Sequence, residues 1–176
     1  MRTKKVIVEE YNCNWIYEFE KLKAYFQKIL NNLIMSIEHV GSTSVYGLAA
    51  KPIIDIDVVI KDYNNFNNIK SRLKKYGYYY EGELGIKDRH AFRYDENRNK
   101  FMAHHLYVCP ENSDELKKHI AFRDYLRLHK DDMKKYSEIK LKGANIYPDN
   151  IEGYMAYKSS FIDNLYKKIK WYTKVK

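Results

Sequence analysis

The stretch "HVGSTSVYGLAAKPIIDIDVVI", residues 39–60, runs from a Gly-Ser turn into a segment where Asp55 and Asp57 alternate with isoleucine and valine. After Pro52 the run "IIDIDVVI" is rich in β-branched residues and short enough for a strand. Its period of two puts both aspartates on one face, with Ile54, Ile56 and Val58 on the other. Two carboxylates side by side repel each other, and burying them is costly unless something positive meets them. Magnesium would resolve the repulsion, because it prefers oxygen ligands and usually takes one or two carboxylates plus substrate phosphates. The Gly41-Ser42 turn offers backbone N–H groups and a hydroxyl with little steric obstruction, so phosphate oxygens can approach it closely.

Around this strand the apolar spacing predicts the remaining elements. Trp15, Phe19, Leu22, Phe26, Ile29, Leu30 and Leu33 recur at three- and four-residue steps, which predicts an amphipathic helix over 15–33. "IMSIEHV" reads as a short strand ending at Gly41, and Phe66, Ile69 and Leu73 predict a second helix over 63–75 with Gly77 as its stop. "YYYEGE", "HAFRY" and "FMAHHLYVC" read as three further strands, with "DENRN" a turn between the last two. Pro110 ends the pairing, and Ser113 with Asp114 and Glu115 is a good helix start. Helices over 114–130, 132–142 and 150–170 follow, with "GANIYPDN" separating the last two. The expected class is α+β: a small mixed sheet with flanking helices and a helical C-terminal half.

The bulk properties narrow the function. A chain of 176 residues with 45% hydrophobic content supports one domain over 1–176, and no linker divides it. The formal charge of +9 favours anionic partners, although a lysine-rich surface is also an ordinary solvated one. Cys13 and Cys109 are too few and too far apart for a disulfide framework or a zinc site, which fits a reducing cytoplasm. The basic N-terminus lacks an apolar signal-peptide core. Nowhere do about 18 consecutive apolar residues occur, so no membrane partner is expected.

Gly-Ser followed by Asp-x-Asp on a strand resembles the nucleotidyltransferase signature of the polymerase-β superfamily. The longer string "HVGSTSVYGLAAKPIIDI" resembles the opening motif of the GrpB family of small proteins with that fold. The likeness extends through "YNCNW", "GIKDRHAF", "HHLYV", "AFRDYLRLH", "YSEIK" and "YMAYKSSFI", over about 11–165. It implies a catalytic core in which Gly41 and Ser42 hold a triphosphate and Asp55 and Asp57 hold magnesium or manganese. The superfamily usually supplies a third carboxylate from a later strand. Here "HHLYV" offers His105 and Tyr107 on one strand face, where the related family tends to have histidine at both places. An imidazole can accept a proton, whereas a tyrosine with an ordinary pKa of about 10 is a poor base near neutrality.

Other candidates carry two readings each. Ser42 and Thr43 suit phosphate contact or a helix N-cap. Lys51 neutralises phosphate or is plain surface. Arg123 and Arg127 lie one helical turn apart; Arg123 is favoured for phosphate recognition, against a charge arrangement with Asp124 and Asp131 that only solvates the helix. Lys140 and Lys158 match family positions and would close over the nucleotide from the helical half. His104 is expected to be structural, because adjacent strand residues face opposite ways and cannot easily share an ion. The expected function is transfer of a nucleoside monophosphate from a nucleoside triphosphate to an unknown small-molecule acceptor. The alternative is a degenerate module that binds a nucleotide or anionic metabolite without chemistry. Binding of RNA by the basic helical half is a third reading, weakened by the lack of a clustered aromatic RNA-reading motif.

Overall fold

The computed structural model describes residues 5–95 and 100–175, with side chains through residue 170. Helix α1, Asn14–Leu30, buries Trp15, Phe19, Leu22, Phe26, Ile29 and Leu30, as the spacing requires. A 3-10 turn, Asn31–Leu33, follows, so Leu33 lies beyond the α-helix. Strand β1, Ser36–Val40, leads through a second 3-10 turn, Ser42–Ser44, and a loop to β2, Ile54–Ile60. Helix α2, Phe66–Lys75, ends where Gly77 takes a φ of +86° and bonds back to the Lys74 carbonyl at 3.1 Å.

Strands β3, Tyr78–Gly82, β4, His90–Tyr94, and β5, His104–Pro110, complete a mixed sheet of order β1-β2-β5-β4-β3. Only β2 and β5 run parallel. Four of the five "DENRN" residues, 96–99, lie outside the described residues. Pro110 pairs with Ile60 as the last residue of β5, a position where its missing N–H does least harm.

One face of the sheet is the main core. Ile54, Ile56, Val58 and Ile60 of β2 and Leu106 and Val108 of β5 pack there against α1 and α2. The opposite face carries Asp55, Asp57, His105 and Tyr107, and α3, Asp114–Leu128, crosses part of it by packing Leu116 on Val59 and Cys109. The Ser113 hydroxyl accepts from the Leu116 N–H and caps that helix. Helices α4, Lys130–Ile146, and α5, Ile151–Val175, join α3 in a second core with Val45 and Leu48 of the loop before β2.

The helical half departs from the spacing-based reading at "GANIYPDN", whose first four residues extend α4 rather than ending it. The reason is helix proximity. A Cβ on Gly143 would lie 2.8 Å from Tyr157 Cδ1 and 3.3 Å from Tyr154 Cδ2, so this glycine sits where α5 comes too close for a larger residue.

Candidate active site

The turn after β1 is built around Gly41, whose φ of +69° and ψ of −172° fall in a region almost reserved for glycine. His39 stacks on Phe19 and meets Thr43 Oγ1 at 3.0 Å, and Thr43 in turn donates to the Ile53 carbonyl. Thr43 thus holds the turn against β2. The Ser42 hydroxyl makes no hydrogen bond to a described residue.

Both aspartates of β2 face the same side, and each meets an imidazole. Parallel pairing sets Asp55 beside His105 and Asp57 beside Tyr107. His105 Nδ1 lies 2.8 Å from Asp55 Oδ1. From α3, His119 reaches down to place Nδ1 2.7 Å from Asp57 Oδ2, while its Nε2 is 3.5 Å from Glu115. Burial works to raise the Asp55 carboxyl, but the His105 hydrogen bond and the surrounding imidazoles hold it below the usual range. For Asp57, which is 0% exposed, burial wins over His119 and raises it. Adjacent carboxylates are thereby pushed apart in acidity. Burial lowers His119, yet its hydrogen bond to Asp57 outweighs this and raises it.

Asp55 opens on a cavity of about 120 Å³. Its floor is Ser42, Thr43 and Asp55 with His105, and its walls are Lys51, Lys140, Lys158 and Tyr154. None of these lysines pairs with a carboxylate among the described residues. Each helical lysine lies along an aromatic ring one turn earlier: Lys140 Nζ is 5.2 Å from the Tyr136 centroid and Lys158 Nζ 4.7 Å from that of Tyr154. Burial, then the neighbouring ammoniums Lys158 and Lys51, push Lys140 well below its ordinary value against the opposing pull of Asp55. Burial and Lys51 bring Lys158 down to about 8. The cavity thus gathers three lysine side chains with no carboxylate among the described residues paired to them.

Other expected residues are placed elsewhere. Arg123 does not line the cavity; it binds Glu38 Oε2 at 2.9 Å, the His39 carbonyl at 3.2 Å and Asp124 at 2.8 Å. Arg127 clamps the Ser44 carbonyl through Nε and Nη2 at 3.2 and 2.8 Å. Arg123 thus fastens α3 to β1, and Arg127 fastens it to the turn. Asp57 also stays out of the cavity wall, because His119 covers it. His104 turns to the core, where it stacks on Tyr94 and meets the Tyr78 hydroxyl at 3.0 Å. Burial, then Asp55, pushes Tyr107 up to about 12, and the Arg89 guanidinium lies 4.7 Å over its ring.

Whether a metal fits is decided by the free oxygens. Asp57 Oδ1 is buried with no hydrogen-bond partner, and Asp55 Oδ2 lies against Gly41 while its other oxygen is held by His105. One oxygen from each carboxylate, with an imidazole orienting the other, is an oxygen donor pair of the kind that magnesium or manganese takes. Asp55 and Asp57 are the residues that would hold it. No cluster of three or more His, Cys, Asp or Glu side chains positioned for a metal occurs among the described residues.

The sequence profile described as GrpB protein matches residues 5–168. The chain belongs to the GrpB family. It is 34% identical over 165 residues to glutamate-rich protein GrpB of Alkalihalophilus pseudofirmus, covering 92% of this chain and 94% of that one. It is 32% identical over 159 residues to protein YqkA of Bacillus subtilis, of whose length it spans 46%. The crystal structure of conserved protein GrpB from Enterococcus faecalis superposes with a TM-score of 0.83 at 34% identity, covering 94% of this chain and 99% of that one. The fold also resembles Cid1 in complex with the UTP analogue UMPNPP, with a TM-score of 0.52 at 12% identity over 76% of this chain and 41% of that one. This GrpB chain therefore has a nucleotidyltransferase-like fold. No helix among the described residues is long and apolar enough to cross a membrane.

Sequence reading missed His119 in this GrpB chain, although a signal existed: it lies one helical turn before Arg123 on the face that meets β1 and β2. Tyr154 was legible only as part of "YMAYK", because nothing local marks it as the ring beneath two lysines.

Proposed function

We propose that the protein transfers a nucleoside monophosphate from a nucleoside triphosphate to a small acceptor. The observation that supports this best is the convergence of Lys51, Lys140, Lys158 and Ser42 on the Asp55-His105 pair. In this reading Ser42 and the ammoniums bind the triphosphate and offset the charge that builds on the departing pyrophosphate. The acceptor hydroxyl attacks the α-phosphorus, the bond to pyrophosphate breaks, and the hydroxyl proton passes to His105 Nε2. That nitrogen carries the lone pair because Nδ1–H is donated to Asp55. His119 fixes the orientation of Asp57. A magnesium or manganese ion, when held by Asp55 and Asp57, supplies Lewis-acid polarisation of the phosphate oxygens.

The test is incubation of the protein and magnesium with each nucleoside triphosphate and a pooled metabolite extract, reading pyrophosphate and nucleotide-modified products by mass spectrometry. Products carrying an added nucleoside monophosphate are expected. A second reading, a binding module for a nucleotide or anionic metabolite, is favoured by Tyr107: it stands in register with Asp57, and its raised hydroxyl cannot serve as a carboxylate base. Magnesium-dependent nucleotide binding with no pyrophosphate across the pool would select that reading.

A further inference from the structure

We propose that Arg89 anchors the acceptor, and that the acceptor is an alcohol that also carries an oxyanion, a carboxylate or a phosphate. The inference rests on the nucleotidyltransferase reading and adds the class of its second substrate. Arg89 lies outside the lysine cavity, in the turn between β3 and β4, with its guanidinium carbon 4.7 Å over the Tyr107 ring. Its charge is felt by Asp57 and Cys109 as well as Tyr107, which places it over the β2-β5 pair. Among the described residues it makes neither a hydrogen bond nor an ion pair: Nε is buried without a partner, and the terminal nitrogens, which are not buried, have none either. Asp57 does not claim it, because that carboxylate is bonded to His119 at 2.7 Å. A guanidinium held by its stem, with its outer fork of N–H groups unmet, matches in geometry the two oxygens of a carboxylate or phosphate.

The backbone fixes Arg89 from behind. Asp88, the residue before it, takes a φ of +58°, a left-handed conformation unfavourable to any residue with a Cβ. The Asp88 N–H donates to Glu83 Oε1 at 2.6 Å, and its carboxylate accepts from the Tyr63 hydroxyl, which lies 3.0 Å from His90 Nε2. The position also fits the reaction. In an in-line displacement the attacking oxygen and the departing pyrophosphate lie on opposite sides of the α-phosphorus. With pyrophosphate among Lys51, Lys140 and Lys158, the acceptor arrives from the other side of His105, where β5 continues to Tyr107. The Tyr107 ring centroid is 6.2 Å from that of His105 and 4.7 Å from the Arg89 guanidinium carbon. A small molecule lying along that ring therefore presents its hydroxyl to His105 and its anion to Arg89. Tyr107, which is no base, becomes the floor of the acceptor site.

Two readouts on the intact chain test this. The first needs no turnover. Nε is buried, so its proton exchanges slowly with water, and the Arg89 Nε–H resonance, assigned by its loss in Arg89→Lys, reports anion contact directly by NMR. With magnesium and a non-hydrolysable nucleoside triphosphate analogue bound, lactate, glycerol phosphate and glycerol are added as carboxylate, phosphate and neutral probes. Saturable shifts of that resonance with one or both anions, and none with glycerol, are expected. A resonance unmoved by both anions, or moved equally by glycerol, overturns the inference. The second readout is turnover. Metabolites modified in the pooled extract should each carry a carboxylate or phosphate. Arg89→Gln, with folding checked by thermal melting, should raise KM for the acceptor about tenfold and leave that for the triphosphate within about threefold. Lys158→Gln should do the reverse, weakening the triphosphate about tenfold. Neutral acceptors, or equal effects of Arg89→Gln on both KM values, overturn the inference and leave the transferase reading intact. A pool with no modified product overturns the transferase reading and with it the acceptor role.

Discussion

Gly41 packs so closely against Asp55 that a Cβ on the glycine would lie 2.0 Å from Asp55 Oδ2. The turn and the carboxylate are therefore one unit, and the glycine is required by position as well as by its φ of +69°. Gly41→Ala is expected to cost about 1–3 kcal/mol through backbone strain alone and to drive Asp55 from its place beside His105. Denaturant unfolding measures the first effect. Loss of magnesium-dependent nucleotide binding in the remaining folded protein measures the second, and unchanged binding would separate the turn from the site.

Asp57 and His119 depend on each other. Asp57→Asn keeps the size of the side chain and most of its hydrogen bonding while removing the charge, so the fold should persist and magnesium-dependent nucleotide binding should fall. His119→Ala instead leaves a buried carboxylate without its partner, which typically costs about 3–5 kcal/mol. Unfolding curves should rank His119→Ala well below Asp57→Asn. Equal, magnesium-independent nucleotide affinity in wild type and Asp57→Asn would remove the metal role.

Arg123 and Lys158 should separate stability from binding. Arg123 is committed to Glu38, Asp124 and the His39 carbonyl, so Arg123→Ala should lower stability by about 1–3 kcal/mol. Its effect on triphosphate affinity should stay within about threefold. A Lys158-like loss of affinity in Arg123→Ala, measured by calorimetry below its melting temperature, would return Arg123 to the phosphate site.

Gly143 tests the route by which the helical half reaches the site. Gly143→Val brings side-chain atoms into Tyr157 and Tyr154, which forces α4 and α5 apart. Lys140 lies on α4 and Lys158 on α5, so the spread widens the lysine pair. Triphosphate affinity should fall about tenfold or more, as it does when charge-assisted contacts lose their geometry. Circular dichroism should still report the helices; intact affinity would mean the two lysines bind independently.

Acid should destabilise the fold through two histidines. Burial, then the Arg127 and Arg123 charges, lowers His39 to about 4, and burial lowers His104 to about 4. Between an ordinary pKa of about 6.5 and the folded value, the unfolded chain binds protons that the folded chain refuses, so stability falls as pH drops through that window. Full titration is worth roughly 3 kcal/mol per group at 1.36 kcal/mol per unit. Melting temperatures from pH 7 to 4 should decline, and the slope should shrink in His104→Gln. An identical slope in that variant would assign the acid response elsewhere.

Periodicity carried the local elements, because a helix buries every third or fourth residue and a strand every second one whatever the rest of the chain does. The α1 face, the alternation of β2 and the Ser113 cap were all legible on that basis, and so was the sharing of one face by Asp55 and Asp57. The resemblance of "HVGSTSVYGLAAKPIIDI" pointed to the GrpB family for the same reason: its residues are contiguous. What meets them is not contiguous. His105 joins Asp55 from 50 residues away and His119 joins Asp57 from 62, and no spacing rule chooses one imidazole over another at such separations. Only the folded chain decided that Arg123 and Arg127 would spend their guanidiniums on β1 and the turn after it while Lys51, Lys140 and Lys158 stayed without a carboxylate partner around the cavity. A lysine reads alike in sequence whether it faces water or an anion site, because the desolvation that distinguishes the two is a property of the packed structure.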